Sequence, residues 1–201
     1  MDINFVNTQE MLDNTNSTIH ANVSNCINLL QSINWKHVAF TIPMSPKPSQ
    51  RPRLSGYRVY VPGASKNGTF FNRHVLPKLK GLYITTPCKI KLDIYVETPM
   101  SFTKTQKLLA EMKVLRPWGA TGDVDNYEKA VYDMIQPNEK RGHEGILSND
   151  SLIIEACTNK YYSRTPRYEV NISYMSSIPK SIVSTLKLQG KEESSDLQSL
   201  N

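Results

Sequence analysis

The sequence predicts an α/β (α+β) fold, a small mixed β-sheet with helices packed on it. Residues 89–97 alternate strictly between apolar and polar side chains, which is typical of a half-buried strand. Residues 127–135 carry apolar side chains at the 3.6-residue spacing of an amphipathic helix. A chain of 201 residues, 39% of them hydrophobic, suits one domain with a sizeable core plus tails.

The chain divides into three predicted segments. Residues 1–35 are rich in Asn, Ser and Thr and are interpreted as an N-terminal extension, in which Val23–Ile33 is compatible with a short helix. Residues 36–176 form the predicted core domain. Residues 177–201 are polar and are predicted to be a C-terminal tail, helical or frayed.

The first half of the core domain predicts two strands and a helix. His37–Pro43 alternates in hydrophobicity and predicts a strand. It leads into a stiff loop of prolines and cations over residues 43–53. Tyr57–Val61 predicts a second strand, which could pair with the first as a hairpin around that loop. Asn67–Leu79 has a helical spacing of apolar residues, and Pro77 is expected to kink or stop this helix.

The second half adds two helices and three strands. After the strand at Lys89–Glu97, a helix is predicted over Thr103–Lys113 and a second one, opened by Asp125, over Tyr127–Ile135. A strand is predicted from the apolar run that begins at Leu152, and it continues to residue 162. Tyr168–Tyr174 alternates again and is predicted to pair with that strand.

Positive charge is concentrated in the first half of the chain. The formal net charge is +6, and no Asp or Glu occurs from Asn14 through Leu92. A surface of one sign attracts an anionic partner, and DNA phosphates are the natural candidate because their neutralisation releases counterions. A basic surface that serves only solubility is the alternative. The predicted DNA-binding residues are Lys47, Arg51, Arg53, Arg58, Lys66 and Arg73.

The cysteines predict a reducing compartment. Cys26, Cys88 and Cys157 are far apart and follow no metal-binding or redox spacing, so free thiols are expected. No stretch reaches the roughly 18 apolar residues of a membrane span, and the N-terminus lacks the layout of a signal peptide. We therefore expect a cytoplasmic protein.

A group of carboxylates marks the candidate site. Asp123 and Asp125 are two residues apart at the start of the predicted helix, where Asp125 and Glu128 also match a capping box. Lys129 follows one turn later on the polar face. Asp150 precedes an apolar strand, and if that strand lies beside the helix start, three carboxylates converge. Such oxygen ligands suit Mg²⁺ or Mn²⁺, which promote phosphodiester hydrolysis.

Each of these residues also has a simpler interpretation. An isolated Asp-x-Asp pair is often a cap or turn, and Lys129 could be a solvated residue or the surface partner of Asp133. Tyr161 and Tyr162 could stack on bases, although packing within the sheet explains them as well. Asp-x-Asp also occurs in nucleotide-sugar transferases. That function would not explain why the stretch from Asn14 through Leu92 contains no Asp or Glu.

Three blocks of the sequence resemble the RusA family of Holliday junction resolvases. The first is Gly122-Asp-Val-Asp-Asn-Tyr-Glu-Lys129, which matches an Asp-x-Asp-Asn-x-x-Lys block that opens a helix. The second is Asn149-Asp150-Ser151 before a strand. The third is the early strand that ends in Pro43, followed by Lys47-Pro-Ser-Gln-Arg-Pro-Arg53. The resemblance covers roughly residues 36 to 175.

The resemblance implies a small α/β endonuclease that acts as a homodimer and cuts four-way or other branched DNA by paired nicks with Mg²⁺ or Mn²⁺. It implies metal-binding carboxylates at Asp123, Asp125 and Asp150, and a catalytic lysine at Lys129. Branched phage DNA other than four-way junctions is a further possible substrate. A DNA-binding accessory protein without catalysis is the alternative.

Overall fold

The computed structural model describes residues 17–50, 53–55, 57–60 and 64–178, which fall into two compact units. The first unit contains helix α1, Ser17–Gln31, which confirms the helix predicted within the N-terminal extension. The predicted tail beyond residue 178 lies outside the described residues. No helix of the described part has the length and apolar character that crossing a membrane requires.

The second unit spans residues 35–174 and contains the sheet. Its elements, in chain order, are β1 Trp35–Ile42, β2 Arg53–Ser55, β3 Arg58–Tyr60, α2 Ala64–His74, β4 Cys88–Glu97, α3 Lys104–Glu111, α4 Val124–Ile135, β5 Ile153–Ser163 and β6 Arg167–Met175. Short 3-10 turns occur at Leu76–Leu79, Gly119–Thr121, Glu139–Arg141 and Asp150–Leu152.

The sheet is mixed and has the strand order β1-β6-β4-β5. Strand β4 is antiparallel to β6 and parallel to β5, so β5 forms one free edge. The β4–β5 connection is a crossover that carries α3 and α4, as a parallel pair requires. The predicted α/β class with a small mixed sheet is confirmed.

Two predicted strand pairings are wrong. The strand at Tyr57–Val61 does not pair with β1, because β3 pairs with β2 in a separate two-stranded sheet. The strand at Tyr168–Tyr174 does not pair with β5, because β4 lies between β5 and β6. Strand β4 carries the longest apolar alternation, and only a central position covers both of its edges.

One face of the sheet forms the hydrophobic core. Residues Cys88, Ile90, Leu92, Ile94 and Val96 of β4 are all buried and belong to one cluster with side chains of α2 and α4. The buried residues of α4 are Tyr127, Ala130, Val131, Met134 and Ile135, which confirms the amphipathic helix predicted from their spacing. The opposite face of the sheet carries polar and aromatic side chains.

The loop after α4 folds back onto the end of that helix. The amide groups of Ile146 and Leu147 both donate to the carbonyl of Ile135, at 2.8 and 3.1 Å. Ile84 donates to the carbonyl of Ile146 at 2.7 Å. The buried His143 places its Nε2 2.7 Å from the carbonyl oxygen of Met134. These contacts determine where the chain enters the turn at Asp150.

Gly145 in this loop is the residue most sensitive to an added methyl group. A Cβ there would lie 2.4 Å from the carbonyl oxygen of Ile135, which is backbone and cannot move aside cheaply. We expect Gly145→Ala to lower the free energy of unfolding by about 3 kcal/mol through overpacking. Urea denaturation of the full chain measures this change.

Gly81→Ala is the matched control. Gly81 has a positive φ of 75°, but nothing lies within 4 Å of its added Cβ, so only the conformational cost of about 1 kcal/mol applies. A Gly145→Ala variant no less stable than Gly81→Ala would contradict the packing of this loop against α4.

Candidate functional site

The first turn of α4 presents two exposed carboxylates. Asp123 is the N-cap residue with extended backbone angles, and Asp125 lies in the first turn. Among the described residues, neither side chain takes part in a hydrogen bond or an ion pair. The predicted capping box is wrong, because the N-cap is Asp123 rather than Asp125, and the carboxylate of Glu128 accepts a hydrogen bond from the Thr158 hydroxyl of β5. Asp123 and Asp125 therefore remain free to bind a ligand.

The backbone before Asp123 is held in one conformation from two sides. Gly122 has φ 90°, which favours glycine, and an added Cβ would lie 3.0 Å from Cγ of Pro48. The hydroxyl of Tyr127 donates to the carbonyl of Thr121. Burial raises the pKa of Tyr127, so this phenol stays a hydrogen-bond donor. The turn is thus braced by the proline-rich loop and by α4 itself.

Lys160 of β5 holds the same turn from a third side. Its Nζ donates to the carbonyl of Gly122 at 2.7 Å and to the Thr121 hydroxyl at 3.3 Å. Sequence reasoning missed this residue because nothing local distinguishes Lys160 from a surface lysine of an edge strand. Only the sheet register, which pairs Lys160 with Ile94, turns its side chain towards the helix-covered face.

The proline-rich loop docks beside the two carboxylates. The amide of Ser49 donates to the carbonyl of Asn126 in the first turn of α4, at 2.8 Å. The amide of Lys47 donates to the hydroxyl of Tyr168 on β6 at 3.0 Å, and that hydroxyl faces the Lys47 carbonyl at 3.3 Å. Burial raises the pKa of Tyr168 far above its usual value, so the phenol stays protonated. These bonds hold the backbone of Lys47, whose side chain is exposed, within the loop that docks on the first turn of α4.

The other predicted DNA-binding residues are described in part. Lys66 and Arg73 are exposed on α2, which packs beside α4. In the described part of the chain, neither makes an ion pair with a carboxylate. Arg51 and the side chains of Arg53 and Arg58 lie outside the described residues. The role of all six residues in binding DNA stays a prediction.

Lys129 lies one turn after Asp125 on the exposed face of α4. Its Nζ is 3.8 Å from Oδ1 of Asp133, a surface pair with both side chains largely exposed. Such a pair contributes only a few tenths of a kcal/mol, so an arriving phosphate can displace Asp133 from Lys129 at little cost.

Asp150 is placed by the turn that opens β5. The side chain of Asn149 accepts a hydrogen bond from the amide of Ser151 at 2.8 Å, and Asp150 itself is exposed. Burial raises the pKa of Tyr132 to about 12, and the charges of Glu128, Cys88 and Asp150 add smaller contributions in that order. The charge of Asp150 therefore acts on a side chain of α4.

The described carboxylates do not form a complete cation site. Among the described residues, no three His, Cys, Asp or Glu side chains form a group that could hold a metal ion by themselves. The convergence of Asp123, Asp125 and Asp150 on one ion therefore stays a prediction. Asp123 and Asp125 supply the type of oxygen ligand that Mg²⁺ and Mn²⁺ take, and these ions bind through few carboxylates and complete their shell with water and substrate phosphate.

The structure is a small α/β unit with two exposed carboxylates at a helix start and a cationic loop docked beside them, which suits a phosphate-bearing substrate. A family model described as endodeoxyribonuclease RusA matches residues 43–173 of this chain. The chain belongs to the RusA endodeoxyribonuclease family, and this membership implies DNA endonuclease activity.

A curated relative comes from Bacillus subtilis (strain 168). The chain is 29% identical over 147 residues to the uncharacterized protein YqaN, a match that covers 69% of this chain and 97% of the relative. The similarity extends over almost the whole length of the relative.

Lys160→Met should separate the positioning of the carboxylates from the binding of DNA. Loss of the two hydrogen bonds frees the Gly122 backbone, and small misplacements of catalytic groups cost up to about a hundredfold in rate. We expect the rate of DNA nicking to fall about 10- to 100-fold, while the Kd for DNA changes less than about threefold. Gel-based nicking and fluorescence anisotropy measure the two quantities.

The matched control is Lys91→Met, which removes an exposed lysine from the other face of the adjacent strand. Lys160→Arg should keep most of the nicking rate, because a guanidinium can still donate to Gly122. Equal nicking by Lys160→Met and Lys91→Met would show that Lys160 does not position the site.

Proposed function

We propose that the protein is a structure-selective DNA endonuclease that requires Mg²⁺ or Mn²⁺, acts as a homodimer and resolves four-way or other branched DNA by paired nicks. The observation that carries this proposal is the hydrogen bond between Ser49 and Asn126, which tethers a cationic loop to the helix turn that bears Asp123 and Asp125. Family membership supports the same reaction class.

The loop and the carboxylates have complementary tasks. Lys47, with the neighbouring cations, binds the sugar-phosphate backbone and brings a phosphodiester to the first turn of α4. Two aspartates facing a phosphate repel it, so a cation between them is required on electrostatic grounds. A bound Mg²⁺ or Mn²⁺ supplies charge neutralisation and activation of water for the hydrolysis.

Hydrolysis adds the oxygen of water to phosphorus and breaks one phosphorus–oxygen bond, which leaves one strand end with phosphate and the other with a hydroxyl. Asp123 and Asp125 would hold the cation, with Asp150 as the third carboxylate ligand. Lys129 stabilises the negative charge that accumulates on the phosphate oxygens.

The free thiols Cys26, Cys88 and Cys157 suit a reducing cytoplasm, where we place the reaction.

A DNA-binding accessory protein without catalysis is the second candidate. It is favoured by one observation, that no group of three potential ligands in the described part forms a ready metal site. Incubation of labelled four-way junction, flap and linear duplex DNA with and without Mg²⁺ separates the two. The endonuclease nicks branched DNA only with the cation, whereas the accessory protein binds it and nicks nothing.

Asp125→Asn tests the carboxylate requirement. The variant should lose at least about a thousandfold in nicking rate in Mg²⁺, because an amide is a poor ligand for the cation. Its affinity for a four-way junction should be unchanged or tighter, since less negative charge faces the DNA. Single-turnover nicking and binding in EDTA measure the two effects.

Asp133→Asn serves as the control on the same helix. Asp133 is exposed and pairs with Lys129, so its neutralisation should change the nicking rate by less than about tenfold. Wild-type nicking by Asp125→Asn in Mg²⁺ would remove Asp125 from the reaction.

Lys47→Ala tests the cationic loop. Each phosphate contact adds about 0.9 to the slope of log affinity against log salt concentration, so loss of Lys47 should lower the slope by about that amount. Affinity measured between 50 and 200 mM NaCl gives the slope. Lys104, exposed at the start of α3, provides the control variant Lys104→Ala, whose slope should equal the wild-type slope. An unchanged slope in Lys47→Ala would remove this residue from the DNA surface.

A further inference from the structure

Aromatic rings and cations cluster on the outer face of the sheet, opposite the core. Tyr95 of β4 and Tyr161 of β5 stack with ring centroids 5.3 Å apart. The Lys113 ammonium lies 5.3 and 4.7 Å from these two centroids and donates to the Tyr95 hydroxyl at 3.1 Å. The guanidinium of Arg116 lies 4.5 Å above Tyr161, and that of Arg167 lies 3.8 Å above Tyr95.

Lys113 and Arg116 carry the uncompensated charge of this cluster. Arg167 is paired with Glu169 at 2.7 Å, whereas within the described ranges Lys113 and Arg116 form no ion pair with a carboxylate. The nearby Asp93 accepts a hydrogen bond from Asn159 instead. The hydrogen bond to Tyr95 raises the pKa of Lys113, so it stays charged. Stacking on tyrosine rings holds both cations in place before any ligand arrives.

The segment from Arg116 to Gly122 crosses the free edge of β5. Lys160 and Tyr161 are consecutive in this edge strand, so their side chains point to opposite faces of the sheet. Arg116 lies over Tyr161 on the outer face, and the Gly122 carbonyl accepts from Lys160 on the inner face. The chain between them therefore passes around the edge of the sheet.

Trp118 sits in the middle of this crossing and points into solvent. Its side chain is 82% exposed, and no ring or hydrogen-bond partner for it exists among the described residues. The preceding Pro117 is buried and anchors the segment. Trp118 precedes Asp123 by five residues, so their Cα atoms can be at most about 18 Å apart. An exposed indole thus belongs to the segment that leads directly into the candidate site.

We propose that residues 113–118 form a branch-recognition element, in which Trp118 stacks on an unpaired or unstacked DNA base while Lys113 and Arg116 bind the flanking phosphates. This inference rests on the proposed function, because it places the base near the phosphodiester held at Asp123 and Asp125. Inside a duplex both faces of a base are already stacked. A branch point exposes a base face, and an exposed indole can cover it, so stacking favours branched DNA over duplex.

The experiment uses the full-length protein, a four-way junction with 2-aminopurine at the branch point, and a matched duplex labelled at its centre. Binding is measured without divalent cation, so the DNA stays intact. Wild-type protein is expected to quench the 2-aminopurine of the junction, because stacking on indole quenches this base. Trp118→Ala should abolish the quenching and lower the ratio of junction to duplex affinity about tenfold.

Matched variants separate stacking from general effects. Trp118→Phe should retain part of the quenching, and Tyr83→Ala, which removes another exposed ring (55%), should retain all of it. Arg116→Ala should weaken junction and duplex binding alike and reduce the salt slope by about one. Trp118 is exposed, so its substitution should leave Tm unchanged.

Unchanged quenching and an unchanged affinity ratio in Trp118→Ala would overturn the proposal. An equal loss of affinity for junction and duplex would overturn it too, because it would assign Trp118 to backbone contact. A wild-type protein that quenches the base but makes no nick in Mg²⁺ would contradict the endonuclease and support this element. Nicking and quenching therefore test the two proposals separately.

Discussion

The arrangement of the candidate site depends on how the turn at Gly122 is held. Pro48 packs against Gly122, Tyr127 bonds to Thr121 from within α4, and Lys160 of β5 donates to the Gly122 carbonyl. These contacts come from a loop, a helix and an edge strand. Because the turn directly precedes Asp123, the three elements together determine where the first carboxylate points. Loss of any one of them would leave the backbone before Asp123 less firmly held.

Charge is separated in the sequence and brought together by the fold. The acid-free stretch supplies cations, the second half supplies the aspartates, and the hydrogen bond from Ser49 to Asn126 joins the two. In the proposed reaction a phosphodiester needs both partners, since cations attract it and the carboxylates would hold the ion that allows its approach. Trp118, on the loop that crosses the edge of β5, adds a neutral contact that electrostatics alone cannot provide, namely the discrimination between stacked and unstacked bases.

Local patterns predicted the elements well and their pairing poorly. The alternation in β4 and the apolar stripe of α4 were recognised because each depends on neighbours in the chain. The predicted capping box is wrong, and the carboxylate of Glu128 accepts a hydrogen bond from Thr158, thirty residues away, rather than bonding at the helix start. The predicted pairing of β5 with β6 is wrong for a similar reason. Two strands joined by a short connection need not be neighbours in the sheet, and here β4 lies between them.

The amino-acid order alone specified the α/β class, the opposite charges of the two halves, and Asp123, Asp125 and Lys129 on one helix, because periodicity and composition are local. Only tertiary structure revealed Lys160 as a brace, Tyr161 as a platform for Arg116, and Trp118 as an exposed ring in the segment before Asp123. The roles of Lys160 and Tyr161 depend on which face of an edge strand each side chain occupies. That face is set by strand register, which results from the packing of the whole sheet.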